Sequence, residues 1–307
     1  MQSVEIVEVG PRDGYQGIGP FIPSTLKIEF LKRLAAAGLH RIEIGSFVSA
    51  TALPQLRDTP EILAAAANIA GLKPQVLVPS ERRGRDAVAP GARALVFVLS
   101  VSEAHNRNNV RRHPLESAEE YASLIAAVRR DVFMRLDIAT AFDCPFDGRI
   151  DEAATTALLE RLIPLRPDAE ICLCDTTGRA DPAHVDSLFA ACMQRFSQVH
   201  AWALHPHDTY GLGLANVHAA YRRGVRVFDA SFGGLGGCPF APGATGNVAT
   251  EDVLFLLNGL GIETGVSIDG LIDAAEFISG VLGRKPVSRS ANALLAKRAA
   301  AAEKAAT

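Results

Sequence analysis

Two histidines separated by a single residue are the clearest candidates for chemistry in this chain of 307 residues. His205 and His207 lie in the segment ALHPHDTYG, at the end of an apolar run. On a β-strand, residues two apart point to the same face, so both imidazoles would enter one site. Paired imidazoles favour a bound divalent metal, and two unrelated loop histidines are the alternative. Pro206 lacks an N–H, which fits the end of a strand.

A carboxylate and an amide could complete this metal site. Asp13 directly follows the first apolar run and could reach the ion from the opposite wall. Asn247 ends a glycine-rich loop and can supply a neutral oxygen ligand suited to Mg²⁺ or Mn²⁺. Together with two imidazoles, these groups favour an octahedral hard ion with two open positions over structural zinc. A substrate could fill both positions through a hydroxyl or ketone oxygen and a carbonyl oxygen.

Four residues near the ends of apolar runs are candidates for catalysis. Arg12 could polarise a substrate oxygen, and a surface ion pair with Asp13 is the alternative. Glu43 lies inside the apolar segment RIEIGSFVS and needs a partner there, for which Arg12 is one possibility; a salt-bridged core carboxylate is the alternative. Asp175 in CLCDTTG could be a general base or a turn residue. Cys238 could donate or accept a proton, or be incidental to its loop.

The loop that carries Cys238 is rich in glycine and proline over Gly233–Asn247. Such a loop could approach a ligand closely and move as a lid. Two other cysteines, Cys172 and Cys174, precede Asp175 on one face of a strand. We interpret this pair as core residues, because a zinc site would need two further soft ligands.

Eight short apolar runs alternate with longer amphipathic segments along the chain. The predicted strands are Val4–Val9, Arg41–Gly45, Gln75–Val78, Ala94–Val101, Met134–Thr140, Ala169–Thr176, His200–His207 and Val225–Phe232. Predicted helices between and after them include Thr25–Ala37, Pro60–Ala70, Leu115–Arg130, Glu152–Leu165, Pro182–Phe196, Leu214–Arg223 and Thr250–Asn258, the last closed by Gly259. Nearly continuous apolar strands, each followed by a helix, indicate a parallel sheet buried on both faces.

These units predict an α/β protein with a (β/α)₈ TIM barrel and extra C-terminal helices. An open doubly wound sheet is the alternative, but the turn GPRDGYQ lacks the G-x-G-x-x-G pattern. We expect one domain over residues 1–307, with the barrel at about 4–260 and a helical extension at about 261–307. Within the extension, Ile268–Leu282 is a predicted helix, Gly283–Arg289 a break, and the alanine-rich tail from Ser290 a surface helix.

Charge and cysteine content exclude several classes of protein. The formal net charge of −3 gives no basic surface for nucleic acid or for an anionic membrane. No stretch is long and apolar enough for a membrane span. Five cysteines at irregular spacing argue against a disulfide framework and for a reducing compartment. The N-terminus has no features of a secretory signal or a transit peptide, so we expect the cytoplasm.

Four motifs together resemble the 3-hydroxy-3-methylglutaryl-CoA lyase family, the metal-dependent lyase branch of the TIM-barrel superfamily marked by Asp, Arg and Glu. These motifs are GPRDGYQ, SFVS at Ser46–Ser49, HPHDTYG, and GGLGGCPFAPGATGNVATED from Gly233. The resemblance runs from about Val4 to about Leu282. The cysteine-containing glycine loop is the most specific motif, because the related synthases lack it.

The resemblance implies cleavage of an acyl-CoA substrate by metal-assisted retro-Claisen, or retro-aldol, chemistry. The products would be acetyl-CoA and acetoacetate, and such barrels often form homodimers. The implied ligands of Mg²⁺ or Mn²⁺ are Asp13, His205, His207 and Asn247. Arg12 would stabilise the enolate oxygen, and Cys238 would protonate the departing enolate. Asp175 and Glu43 would belong to the catalytic shell, with Asp175 taking the hydroxyl proton directly or through water.

One segment departs from the family in a way that affects the substrate. After DG-x-Q, family members commonly continue Asn-Glu-Lys, whereas this chain has Gly17-Ile18-Gly19-Pro20. A positive charge suited to the free carboxylate of the substrate is therefore missing at this point. Citramalyl-CoA, which would give acetyl-CoA and pyruvate, and a longer-branched homologue are alternative substrates. A Claisen-type synthase using acetyl-CoA and an inactive barrel that binds CoA esters are the rival classes.

Overall fold

Eight parallel strands close into a barrel in this computed structural model, which describes residues 3–236 and 246–306. The strands are β1 (Glu5–Glu8), β2 (Arg41–Ser46), β3 (Lys73–Val78), β4 (Ala94–Ser100), β5 (Phe133–Ala139), β6 (Glu170–Asp175), β7 (Trp202–Pro206) and β8 (Val227–Ala230). Neighbours in sequence are neighbours in the sheet, and β1 closes the barrel against β8. The predicted (β/α)₈ barrel is confirmed, and the open-sheet alternative is wrong.

Helices cover the outside of the barrel between successive strands. They are α1 (Ser24–Ala36), α2 (Thr59–Ala66), α3 (Glu81–Val88), α4 (Glu103–Val110), α5 (Pro114–Ala127), α6 (Glu152–Leu162), α7 (Pro182–Arg195), α8 (Gly213–Arg223) and α9 (Thr250–Gly259). Local sequence fixes several of their starts: the Asp151 and Asp181 side chains accept from backbone amides of the first turns of α6 and α7. Their apolar faces pack on the strands and form the main core.

Two helices follow the barrel, as the sequence predicts. Helix α10 (Ile268–Leu282) packs against α1, and α11 (Arg289–Ala306) packs against α9 and α10. The break between them coincides with the predicted Gly283–Arg289 segment, and Gly283 adopts the left-handed conformation at the end of α10. None of the helices in the described part of the chain is long and apolar enough to cross a membrane.

Element ends differ from the predicted ones where the chain turns early. Predicted helix Pro60–Ala70 ends as α2 at Ala66, because the following amides bond three residues back, as in Asn68 N to Ala65 O at 3.0 Å. Gly259 belongs to α9 and does not stop it, and the left-handed glycine of that turn is Gly261 with φ +70°. A short antiparallel ribbon, Asp143–Cys144 with Gly148–Arg149, was not predicted.

An ion-pair network crosses the barrel interior. The fully buried guanidinium of Arg135 donates to Asp137 at 2.7 Å, to Glu170 at 3.2 Å and to Asp229 at 2.6 Å. Arg41 donates to both oxygens of Glu170, at 2.8 and 2.6 Å. Buried charges need such partners, because an unpaired one costs several kcal/mol. The network links β2, β5, β6 and β8 below the C-terminal ends of the strands.

Candidate active site

The two predicted histidines meet at the C-terminal end of β7. His205 lies next to Cys174 of β6, and His207 forms an isolated bridge with Asn247. Their Nε2 atoms are 3.2 Å apart, and both residues are buried. Two nitrogen ligands at right angles, each about 2.1 Å from an octahedral ion, would be about 3.0 Å apart. The separation therefore fits adjacent ligands of one ion.

Asp13 and Asn247 join the two histidines on one side of the barrel, where β1 lies two strands from β7, so the expected approach from the opposite wall is wrong. Asp13 lies in a single turn of π-helix at Gly10–Gly14, directly after β1. One ligand atom each from Asp13, His205 and His207 lies within 4.8 Å of the others. Asn247 Nδ2 donates to Asp13 Oδ2 at 2.6 Å, so all four predicted ligands belong to one cluster.

The donor set fits a hard divalent cation. Asn247 is buried, and its Oδ1 atom has no hydrogen-bond partner in the described structure, although its Nδ2 atom has two. A neutral amide oxygen presented in this way is an ordinary ligand for Mg²⁺ or Mn²⁺. Close packing holds this amide in place: a Cβ atom at Gly236, where φ is +149°, would lie 2.5 Å from Asn247 Nδ2.

Arg12 is fixed beside the predicted metal ligands by two carboxylates. Its Nε donates to Glu43 Oε1 at 2.6 Å, its NH2 to Glu43 Oε2 at 3.3 Å and its NH1 to Asp13 Oδ1 at 2.6 Å. The predicted partnership of Arg12 with Glu43 is thus confirmed. A bidentate pair of this kind fixes both the position and the orientation of the guanidinium plane. Glu43 therefore holds this arginine in position.

Burial and neighbouring charges shift the pKa values of Asp13 and Glu43 in opposite directions. Burial raises the pKa of Asp13, but Arg12 and the two histidines outweigh it and lower the pKa to about 2. Asp13 is therefore an anion at neutral pH, as a metal ligand must be. Burial raises the pKa of Glu43 to about 7, because the opposing charge of Arg12 is offset by nearby carboxylates.

Asp229 orients His205 and was not recognised from the sequence. His205 Nδ1 lies 2.9 Å from Asp229 Oδ2, which also accepts from Arg135 at 2.6 Å. Burial lowers the pKa of His205, but the hydrogen bond to Asp229 and nearby anionic groups raise it to about 9. A carboxylate on Nδ1 fixes the tautomer that presents Nε2 to an ion. The available signal was an acidic residue inside the apolar strand VFDAS.

Asp175 lies at the end of β6, beside Pro206 of β7. Its Oδ1 accepts from the Ala180 amide at 3.3 Å, and its buried Oδ2 has no partner in the described structure. Burial raises the pKa of this carboxyl to about 7. The hydrogen bond to Ala180 confirms the turn role, and the raised pKa is compatible with the general base that the sequence predicts. No described hydrogen bond connects it to the metal ligands.

Cys238 lies outside the described residues, but the beginning of its loop lies within them. Two buried carboxyls anchor that part of the chain. Glu8 Oε1 accepts from the Gly10 and Phe232 amides at 2.8 and 3.0 Å. Both oxygens of Glu251 accept from the Gly233 amide at 2.9 Å. The loop therefore starts at a point fixed against the turn that carries Arg12.

Comparison with known proteins identifies relatives that span nearly the whole chain. Residues 3–278 match the family model described as HMGL-like. The (R)-citramalyl-CoA lyase of Chloroflexus aurantiacus is 40% identical over 295 residues, which cover 92% of this chain and 92% of that enzyme. The hydroxymethylglutaryl-CoA lyase of Pseudomonas mevalonii is 39% identical over 300 residues, 97% of this chain and 99% of that enzyme.

A solved structure matches both the fold and the length of this chain. It is an HMG-CoA lyase from Acinetobacter baumannii in complex with coenzyme A and 3-methylmalate. It superposes with a TM-score of 0.89 at 37% identity, and the match covers 95% of each chain. The match therefore extends beyond the barrel into the helical region that follows it.

Proposed function

Because this chain belongs to the HMGL-like family and is an enzyme of the lyase kind, we propose that it cleaves 3-hydroxy-3-methylglutaryl-CoA to acetyl-CoA and acetoacetate. The observation that carries this proposal is the convergence of Asp13, His205 and His207 beside the fixed guanidinium of Arg12. Cleavage of a C–C bond next to a thioester develops negative charge on the thioester oxygen. A cation and an arginine held in advance at that oxygen are what such a step requires.

The residues that would hold the ion are Asp13, His205, His207 and Asn247, and the mixed nitrogen and oxygen set suits Mg²⁺ or Mn²⁺. Once bound, the ion supplies Lewis-acid polarisation of the substrate oxygens and orients the acyl group. Arg12 donates to the thioester oxygen as it gains enolate character. Glu43 keeps the guanidinium in place, so it is a positioning residue for Arg12.

Two proton transfers complete the reaction. Asp175, whose pKa burial raises to about 7, takes the proton of the C3 hydroxyl directly or through water. The C2–C3 electron pair then becomes the enolate of acetyl-CoA, and the C3 oxygen becomes the ketone of acetoacetate. Cys238 delivers a proton to C2 of that enolate from the glycine-rich loop, a role that rests on the family resemblance of GGLGGCPF.

Citramalyl-CoA is the second candidate substrate. The segment Gly17–Pro20 has no cationic side chain, and a Cβ added at Gly17 or Gly19 would meet nothing within 4 Å. The segment itself therefore supplies neither a positive charge nor close packing for a long acyl carboxylate. The relative from Chloroflexus aurantiacus carries the name of the corresponding lyase.

The test is a coupled assay of acetyl-CoA release, run side by side on both substrates with Mg²⁺ and with Mn²⁺. Faster cleavage of 3-hydroxy-3-methylglutaryl-CoA, judged by kcat/KM, supports the first assignment. Faster cleavage of citramalyl-CoA supports the second assignment. Condensation of acetyl-CoA with a 2-keto acid, with no cleavage of either thioester, would replace both with the synthase alternative.

Three further properties belong to this proposal. We expect residues 1–307 to act as a single domain, because α10 and α11 pack directly on helices of the barrel. A homodimer is the expected assembly on the family resemblance alone. A cytoplasmic location is the expected one, since the described cysteines Cys144, Cys172, Cys174 and Cys192 are all free thiols.

A further inference from the structure

Two thiols and a carboxylate meet inside the barrel, next to the four residues assigned to the hard ion but separate from them. Cys172 and Cys174 lie two apart on β6 and point into the interior, and Asp137 of β5 pairs with Cys172 across the sheet. One ligand atom from each of the three lies within 4.8 Å of the others. Asp137 gives the cysteine pair a third ligand, one carboxylate instead of the two further soft ligands of a closed zinc site, so a bound ion would keep one position for water.

The spacing of the sulfur atoms matches metal coordination. The two Sγ atoms are 4.0 Å apart. Two thiolates bound to one tetrahedral zinc ion at about 2.3 Å would be about 3.8 Å apart. Strand geometry sets this separation, because side chains two apart on one face are fixed by the backbone. The pair therefore needs little rearrangement to share an ion.

Charge balance also favours a divalent cation at this place. Arg135 donates to Asp137 Oδ1 at 2.7 Å, so one positive charge already lies against the cluster. With both thiols protonated, the carboxylate and the guanidinium already balance, and a divalent ion that displaces the two thiol protons leaves the net charge of the set at zero. Burial of such a set is tolerated only when its charges are compensated.

The cluster faces the C-terminal ends of the barrel strands. Cys174 pairs in register with His205 and lies beside it, whereas Cys172 pairs with Ala203, two residues further from the strand ends. Cys172 is fully buried, whereas Asp137 and Cys174 retain 4% and 6% of their exposure. Asp137 and Cys174 are therefore the members of the cluster nearest to solvent.

We propose that Asp137, Cys172 and Cys174 form a second metal site, selective for thiophilic divalent cations such as Zn²⁺ or Cd²⁺. Soft sulfur ligands select these ions over Mg²⁺ and Mn²⁺, which prefer oxygen. The barrel thus carries a hard site at its rim and a soft site next to it. The soft site does not depend on which acyl-CoA the enzyme cleaves.

The test is cadmium binding to the full-length enzyme with Mg²⁺ at saturation, followed by the ultraviolet charge-transfer absorption of cadmium thiolates. We expect one cadmium ion per chain with this absorption. Cys172→Ser and Cys174→Ser should each weaken binding by at least roughly 10- to 100-fold, the loss that even an outer-shell partner of a metal can cause. Asp137→Asn should weaken it by a smaller factor. The control Cys192→Ser removes a buried thiol of α7 and should leave binding unchanged.

Two results would overturn the proposal. One is thiolate absorption that persists in the Cys172→Ser, Cys174→Ser double variant; the other is absorption that disappears in Cys238→Ser. A measurement on the unaltered protein removes any concern about folding of the variants. Anomalous scattering from crystals soaked in CdCl₂ should place cadmium between the sulfur atoms of Cys172 and Cys174. Cadmium found only at Asp13 and the histidines contradicts the second site.

Discussion

Replacing Asp229 by asparagine should weaken metal binding although Asp229 is not itself a ligand. The carboxylate contacts His205 Nδ1 at 2.9 Å and Arg135 at 2.6 Å, and it is 1% exposed. It therefore holds the imidazole and increases the basicity of the Nε2 atom that faces His207. The substitution keeps the shape of the side chain and removes its charge.

The expected loss of metal affinity depends on which hydrogen bond the asparagine side chain retains. Its amide oxygen still accepts one hydrogen bond, so His205 keeps its tautomer but loses the anionic partner. Loss of an outer-shell partner typically costs 10- to 100-fold in metal affinity, so we expect roughly 10-fold for Asp229→Asn and roughly 100-fold for Asp229→Ala. These factors correspond to about 1.4 and about 2.7 kcal/mol. Arg135 retains Asp137 and Glu170, so the barrel should still fold.

The assay is Mn²⁺ binding to the metal-free protein, followed by the electron paramagnetic resonance signal of the free ion. Asp186→Asn is the matched control, because it breaks a surface ion pair with Arg223 far from the barrel interior. The control should bind Mn²⁺ as the unaltered protein does. An Asp229→Asn protein that is folded and binds Mn²⁺ within two-fold of the control would refute the role assigned to Asp229.

Three further predictions concern the catalytic groups and the buried carboxyl of β1. Glu43→Gln should loosen Arg12 and lower kcat by about 100-fold, a loss comparable to the removal of one oxyanion donor. The affinity for Mn²⁺ should be nearly unchanged. An unchanged kcat would contradict the positioning role of Glu43. Cys238→Ser should lower turnover by roughly 10²- to 10⁴-fold, and loss of metal would contradict its assignment as a proton donor. Burial raises the pKa of Glu8 from 4.5 to about 8, so the folded state holds the proton more tightly than the unfolded state. Urea unfolding should therefore show stability that decreases from pH 5 to pH 8 relative to Glu8→Gln, by on the order of a few kcal/mol; a constant difference across that range would contradict the shift.

The barrel was predictable because its signal is repeated along the whole chain. Eight apolar runs at regular intervals allow few other arrangements, and each predicted strand overlaps an observed one. Element ends were less predictable, since they depend on local hydrogen bonds such as the tight turns after Ala66. The short ribbon at Asp143–Arg149 has too few residues to leave a periodic pattern.

The clustering of the four candidate ligands was predictable because polar residues at strand ends stand out against apolar neighbours. The two-residue spacing of His205 and His207 is by itself enough to place both side chains on one face of a strand. Asp229 and Arg135 were not recognised, because their importance lies in the groups that they contact across the barrel. The pairing of Asp137 with Cys172 likewise depends on strand register, which a single sequence does not reveal.

The most direct test of the central claim, a hard-metal site that drives C–C cleavage, is a titration of chelator-treated enzyme with Mn²⁺. Bound Mn²⁺ and acetyl-CoA release from 3-hydroxy-3-methylglutaryl-CoA and from citramalyl-CoA are measured on the same samples. The structure predicts that activity rises in proportion to a single ion bound per chain, and that Asp13→Ala abolishes both. Full activity in the metal-free enzyme, or in a folded Asp13→Ala variant that binds no Mn²⁺, would contradict it.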